Sequence, residues 1–229
     1  SGLEVLRSLL FVPGNRPDML EKATGFMADT IVPDMEDSVP FEQKEKARKI
    51  IALNIPSLAA SGRTILPRIN SLPTGLLEED LYAVIGPSIL GVTVGKIHTT
   101  QDIEEIDSII LAMESRVGLT PGHTKIIPWI ETARAVTEAL AICKASKRII
   151  GVALGGEDLS VDMGFTRTTE GSELTYARSA VAFAATAAGV QAYDTPYVSF
   201  RDSEGLLREA NQVKQLGFKG KFAIHPAQI

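Results

Sequence analysis

The sequence predicts a (β/α)8 barrel, an α/β TIM-barrel fold in which residues 1–229 form a single domain. Three observations predict it. Short apolar runs alternate with amphipathic stretches along the whole chain, polar residues collect after those runs and not before them, and no stretch rich in Pro, Gly or Ser is long enough to link two domains. A doubly wound open sheet is the alternative the same alternation allows.

The candidate strands are residues 6–12, 30–33, 64–69, 91–94, 125–130, 149–154, 191–193 and 222–224. Each is brief and mostly unalternating, the pattern of a strand buried on both faces of a parallel sheet. The segments between them read as helices. Pro40 with Glu42, Lys46, Glu45 and Lys49 suits a helix start supported by i,i+4 charge pairs. Ala133, Val136, Leu140 and Cys143 recur at helical spacing, as do Leu206, Ala210 and Val213. Asp202 reads as a helix cap, and Gly189 and Gly217 stand where helix C-termini hand over to a strand. The alanine-rich stretch 180–188 reads as close helix–barrel packing, with Tyr176 and Arg178 beside it in structural roles. The chain ends soon after the eighth strand, where a closed barrel normally carries another helix, so a further C-terminal segment is expected in the natural protein.

Composition narrows the class. The chain has 229 residues, 45% hydrophobic and 22% charged, with a net charge of −5 and no block of like charge. That profile gives no reason to expect nucleic acid or a membrane surface as partner. The single cysteine, Cys143, excludes an internal disulfide and suits a reducing compartment, the cytoplasm or a mitochondrial matrix; its helical spacing makes it a buried, inert thiol.

The residues just past each strand carry the chemistry. The first strand leads into Pro13-Gly14-Asn15-Arg16, the second into Asp34-Met35-Glu36-Asp37, the third ends in Arg68-Ile69-Asn70, and the fourth leads into Gly95-Lys96. The fifth ends in Trp129-Ile130-Glu131, the sixth in Gly155-Gly156-Glu157-Asp158, the seventh in Asp194 and the eighth in His225. In a barrel these ends converge on the face where active sites of this fold sit. Asp34, Glu36, Asp37, Glu131, Glu157, Asp158 and Asp194 in one mouth would repel one another unless cations compensate. Arg68 and Lys96 supply part of that charge. Oxygen donors without a cysteine favour Mg²⁺ or Mn²⁺ over zinc for the rest. Trp129 is expected to face the helices. Neither a G-x-G-x-x-G fingerprint nor a phosphate-binding P-loop is present, so hydride transfer and nucleotide hydrolysis lack their motifs.

At these residues the chain resembles the citrate lyase beta-subunit-like family of the HpcH/HpaI aldolase superfamily, within it most nearly the citramalyl-CoA and malyl-CoA lyases. The matching stretches are Arg7 to Asn15, Asp34 to Asp37, Pro67 to Asn70, Glu131-Thr132, Gly155 to Asp158, Tyr176 to Arg178 and Ile224 to Ile229. The resemblance implies a Mg²⁺-dependent barrel, a homotrimer or hexamer, that makes or breaks a carbon–carbon bond in a 3-hydroxyacyl-CoA to give acetyl-CoA and a 2-oxo acid. It implies Glu131 and Asp158 as metal ligands and Arg68 as the group that holds substrate oxygens. Glu36 and Asp37 would orient Arg68 and the metal's waters, and Phe11, Arg16, Lys22, Ile224 and His225 would contact CoA. The chain departs from the family's frequent Pro-Lys pair at Gly95-Lys96. Three other functions stay open: a citrate lyase beta subunit acting on an acyl-carrier-protein thioester, an aldolase of free 4-hydroxy-2-oxo acids, and a non-catalytic metabolite-binding barrel. His225-Pro226, where citrate lyase beta subunits more often read Asn-Pro, tips the balance to the free-standing lyases.

Overall fold

The computed structural model describes residues 6–197, 199 and 201–229. Nine strand segments are present among them: β1 (Ser8–Pro13), β2 (Thr30–Asp34), β3 (Thr64–Ile65), β4 (Arg68–Ile69), β5 (Gly91–Val94), β6 (Lys125–Ile130), β7 (Gly151–Leu154), β8 (Gln191–Asp194) and β9 (Gly220–Ala223). Every pairing is parallel, and β1 pairs with both β2 and β9, which closes the sheet and excludes the open doubly wound alternative. The third predicted strand is interrupted at Leu66-Pro67 because proline has no N–H to give the ladder. It remains one stave of the barrel: Leu66 N donates to Ile31 O (3.0 Å) and Thr93 N to Pro67 O (2.9 Å). The eight predicted staves are therefore all present.

Nine helices fill the seven connections among the described residues: α1 (Pro17–Ala23), α2 (Lys44–Ala60), α3 (Leu77–Val84), α4 (Thr100–Val117), α5 (Ala133–Thr137), α6 (Ala139–Lys144), α7 (Gly156–Met163), α8 (Thr175–Ala188) and α9 (Ser203–Gln215). Two are the halves of a helix expected to run on from Ala133. The backbone leaves helical geometry at Glu138 (φ −105°, ψ 12°), and the buried stripe becomes Ala135, Val136, Ala139, Ile142 and Cys143, with Leu140 exposed. Asp202 caps α9 by accepting from Gly205 N, and Cys143 is buried, both as expected.

The strands alternate sides with period two. Leu9, Val32, Leu66, Ile127, Ala153, Tyr193 and Phe222 fill the barrel interior, while their neighbours Leu10, Ile31, Ile65, Ile126, Val152, Ala192 and Ala223 pack outward against the helices. Two expectations fall to this alternation. Trp129 lies two residues from Ile127 and from Glu131, so it shares their face and points inward, where its Nε1 donates to Thr93 Oγ1 at 2.7 Å. Asp194 comes directly after the inward Tyr193 and so points out, away from the mouth. There it is fully buried between Arg178 of α8 and Lys221 of β9, with Glu209 of α9 completing the network. Burial would push the Asp194 carboxyl up, but Lys221 and Arg178 hold it below the ordinary range. Arg178 is thus structural, as read from the sequence.

Candidate active site

The site is built from the ends of β1, β2, β4, β5, β6, β7, β8 and β9 and from the start of α7. At the end of β2, Asp34 organises its own loop, accepting from Glu36 N (2.9 Å), Ser38 N (3.0 Å) and Ser38 Oγ (2.7 Å). Arg68 closes the arrangement with a bidentate pair, Nε to Asp34 Oδ1 at 2.7 Å and Nη2 to Oδ2 at 2.8 Å. Its Nη1 stands 3.5 Å from Glu36 Oε1, and its guanidinium lies 4.2 Å from the ring centre of Phe11. The fork geometry of arginine fits both the carboxylate and the aromatic face. Burial works against the Asp34 charge, but Arg68 overrides it and leaves the carboxyl below its ordinary range. Lys44 reaches over from α2 to donate to the carbonyls of Met35 and Glu36, both at 2.9 Å, and so fixes the loop that carries Glu36.

Opposite stand Glu131 and Asp158. Lys96 adopts a left-handed backbone (φ 56°), uncommon for a non-glycine residue, which turns its N–H onto Glu131 Oε2 at 2.8 Å. Its ammonium reaches Asp158 Oδ2 at 3.3 Å. Glu131 needs the space left by two glycines. A Cβ on Gly155 would come within 2.5 Å of Glu131 Cγ, and one on Gly95 within 3.1 Å of Glu131 Oε2 and 3.3 Å of Glu36 Oε2. Glu36 and Glu131 therefore converge on one point, and Glu36 Oε2 is buried with no hydrogen-bond partner.

Electrostatics reflect that crowding. Burial, with Asp158 and Glu36 nearby, pushes the Glu131 carboxyl up to about 8 against the pull of the Lys96 amide. Burial likewise pushes Glu36 up to about 7 despite Arg68. A folded chain that keeps protons the unfolded chain has released is stabilised by them. For both groups that stability is fully present below the ordinary glutamate value of 4.5 and is lost as pH rises through about 7 and about 8. In EDTA the Tm is expected to fall between about pH 5 and about pH 8.5. A flat or rising Tm over that range would show that these carboxyls are not held protonated.

A cavity of 380 Å³ joins these parts, and Phe11, Asp37, Arg68, Trp129, Glu131, Asp158, Thr195 and Ile224 are among the residues lining it. Of the residues singled out in the sequence, Phe11, Asp37, Arg68, Glu131, Asp158 and Ile224 thus meet there, with Glu36 packed behind Arg68. Arg16, Lys22 and His225 do not line it. Arg16 pairs with Asp18 at 2.9 Å on the surface, Lys22 lies in the last turn of α1, and His225 accepts from Ala227 N through Nδ1 at 3.1 Å. Trp129 and Thr195 were not read as site residues. The shared parity of 129 and 131 marks the first, and the position of Thr195 directly after β8 marks the second.

The donor set suits a divalent cation. It offers hard carboxylate oxygens, one of them buried and without a partner, in a pocket whose repulsion a positive charge would relieve. Among the described residues no three His, Cys, Asp or Glu side chains stand together in metal-binding geometry, so a cation would take one or two carboxylates and complete its shell with water and substrate oxygens.

Comparison with known proteins decides the family. Residues 7–226 match the family described as HpcH/HpaI aldolase/citrate lyase. The chain belongs to this family. It is 38% identical over 223 residues to the citrate lyase subunit beta of Leuconostoc mesenteroides subsp. cremoris, covering 97% of this chain and 74% of that one. It is 32% identical over 234 residues to the mitochondrial citramalyl-CoA lyase of Homo sapiens, covering 97% of this chain and 68% of that one. A solved structure, the citrate lyase beta subunit from M. tuberculosis complexed with oxaloacetate and magnesium, shares the fold with a TM-score of 0.80 at 29% identity, over 97% of this chain and 92% of that chain. Membership confirms the family resemblance read from the motifs, with the citrate lyase beta subunit the more identical of these two relatives, and the likeness to the solved structure agrees with the closed barrel. The relatives are named as lyases, which leaves the non-catalytic alternative without support.

Proposed function

We propose that this protein is a Mg²⁺-dependent carbon–carbon lyase that cleaves, or in reverse forms, a 3-hydroxyacyl thioester to give an acetyl thioester and a 2-oxo acid. The observation that carries the reading is the pairing, across one cavity, of a partly buried Arg68, held in a bidentate pair by Asp34, with the crowded carboxylates Glu131 and Asp158. Cleavage requires the substrate hydroxyl to lose its proton as the carbon–carbon bond breaks, and the electron pair to be received as an enolate on the thioester. Glu131 and Asp158 would hold Mg²⁺, which when bound acts as a Lewis acid and template toward the oxygens of the 2-oxo acid half. Arg68, permanently charged and preorganised by Asp34, is the group to hold the developing oxyanion. Glu36 and Asp37 orient Arg68 and the water around the site. Phe11 and Trp129 form an aromatic floor that keeps bulk water out from below.

Phe11 and Ile224 at the cavity wall, with the backbone of His225 beside Ile224, are assigned to the thioester arm. Arg16 and Lys22 are assigned to the CoA phosphates. They come after Phe11 on the β1–α1 segment, and the exposed Arg16–Asp18 pair is of the kind that holds its geometry weakly and would yield to a phosphate. The preferred thioesters are citramalyl-CoA and malyl-CoA, giving pyruvate or glyoxylate. A citrate lyase beta subunit is the second reading, favoured by the higher identity to proteins of that name. A homotrimer or hexamer is part of the proposal, supported by the exposed Tyr176 and Phe183 on the outer side of α8, apolar surface of the kind an interface covers. The setting is a reducing compartment, which the single buried thiol suits. Among the described residues no helix is long and apolar enough to cross a membrane.

The test is a panel of substrates: citramalyl-CoA, malyl-CoA, a citryl thioester on an acyl carrier protein, and a free 4-hydroxy-2-oxo acid. Turnover of a CoA thioester supports the first reading. Turnover of the carrier-protein thioester alone assigns the second, and turnover of the free acid alone overturns both.

A further inference from the structure

We infer that Thr195 is a positioning residue for Asp158, serving as the N-terminal cap of α7 from the exit of the neighbouring strand, β8. The helix begins directly after Gly155, whose backbone (φ −100°, ψ 91°) leads into Gly156 and which has no side chain to cap the first turn. Such a first turn leaves backbone N–H groups without helical partners. The Gly156 N–H finds one in Thr195 Oγ1 at 3.1 Å, a residue thirty-nine positions away at the exit of β8. Asp158 is the third residue of this helix, so whatever fixes Gly156 sets where the Asp158 carboxylate stands in the cavity.

Thr195 is itself held firmly. It is 1% exposed, and its carbonyl accepts from Lys221 Nζ at 2.6 Å. Lys221 is anchored in turn by Asp194 and Glu209. The buried charges outside the barrel thereby gain a purpose beyond stability. They lock the exit of β8, and the Thr195 hydroxyl passes that rigidity to α7. Arg167 adds a second restraint on the same turn, donating to Glu157 Oε1 at 2.6 Å. The hydroxyl is the operative group: valine at this position would keep the shape and lose the acceptor, and serine would keep the acceptor.

This inference rests on Asp158 as a cation-holding residue, and the experiment separates the two. Mn²⁺ binding to the full chain is measured by titration for wild type, Thr195→Val, Thr195→Ser and Thr195→Ala, together with hydrogen exchange at the Gly156 amide without metal. Thr195→Val and Thr195→Ala should weaken Mn²⁺ binding about tenfold, as loss of a supporting partner outside the ligand shell typically does. Both should speed Gly156 exchange, while Thr195→Ser stays near wild type in both. Unchanged Mn²⁺ affinity and Gly156 protection in Thr195→Val overturn the inference. If the valine variant does not fold, equal weakening in the serine and alanine variants overturns it, because the hydroxyl would then not matter. Absence of Mn²⁺ binding by wild type sinks the metal reading instead, and Gly156 exchange still decides whether Thr195 caps α7.

Discussion

Arg68→Met is expected to lower kcat by about 10²- to 10³-fold, the usual cost of removing a preorganised donor from a developing oxyanion. It should also destabilise the protein by about 3–5 kcal/mol, because Asp34 is fully buried and would lose the partner that keeps it charged. The two effects have separate causes, and Arg68→Lys distinguishes them. Lysine restores a positive charge near Asp34 but not the fork that makes two parallel bonds to it. Most of the stability should return while kcat remains well below wild type. Steady-state kinetics and urea unfolding on both variants check this. A lysine variant with full kcat would reduce Arg68 to a structural counter-ion.

Glu131→Gln is expected to abolish detectable cleavage and to weaken Mg²⁺ binding by more than the about 10- to 100-fold that losing an outer-shell partner costs, because it removes a ligand itself. Its effect on the metal-free fold should have the opposite sign. Glu131 is buried against Asp158 and Glu36, and its carboxyl is pushed up to about 8. An amide of the same shape still accepts from the Lys96 N–H and escapes the repulsion. In EDTA, above about pH 8, the variant should therefore unfold at a higher Tm than wild type. A gain in stability with a loss of activity is the signature of a group held in place for function. Calorimetric Mg²⁺ titration and thermal unfolding measure the pair, and a variant that loses both stability and activity would point to a purely structural Glu131.

The barrel was legible because its signals are local. Each strand is a compact apolar run and each connection contains a helix, so every stave could be placed within a few residues. The mouth was legible for the same reason: Asp34, Arg68, Glu131 and Asp158 each stand at or just past a strand end, and strand ends meet in this topology whatever the rest of the chain does. What escaped depends on parity and on distant partners. Whether Asp194 faces in or out depends on a one-residue register that the four-residue β8 leaves undefined, whereas the two-residue spacing of Trp129 from Glu131 already places both on one face. The break at Glu138 is invisible in apolar spacing, since Val136 and Cys143 lie on one side in either geometry. The Lys96 amide on Glu131 and the Thr195 hydroxyl on Gly156 join residues thirty-five and thirty-nine positions apart. No local pattern announces such bonds. The family motifs supplied the roles proposed for Glu131 and Asp158, which carboxylate counting alone would have shared among seven acidic residues.

The most direct test is cleavage of citramalyl-CoA and malyl-CoA by EDTA-stripped enzyme titrated with Mg²⁺, in parallel with Glu131→Gln. The expected result is no 2-oxo acid without metal, saturable recovery as Mg²⁺ is added, and no recovery in the variant. Full-rate cleavage by the stripped enzyme, or by Glu131→Gln at ordinary Mg²⁺, would contradict a metal-dependent lyase built on Glu131.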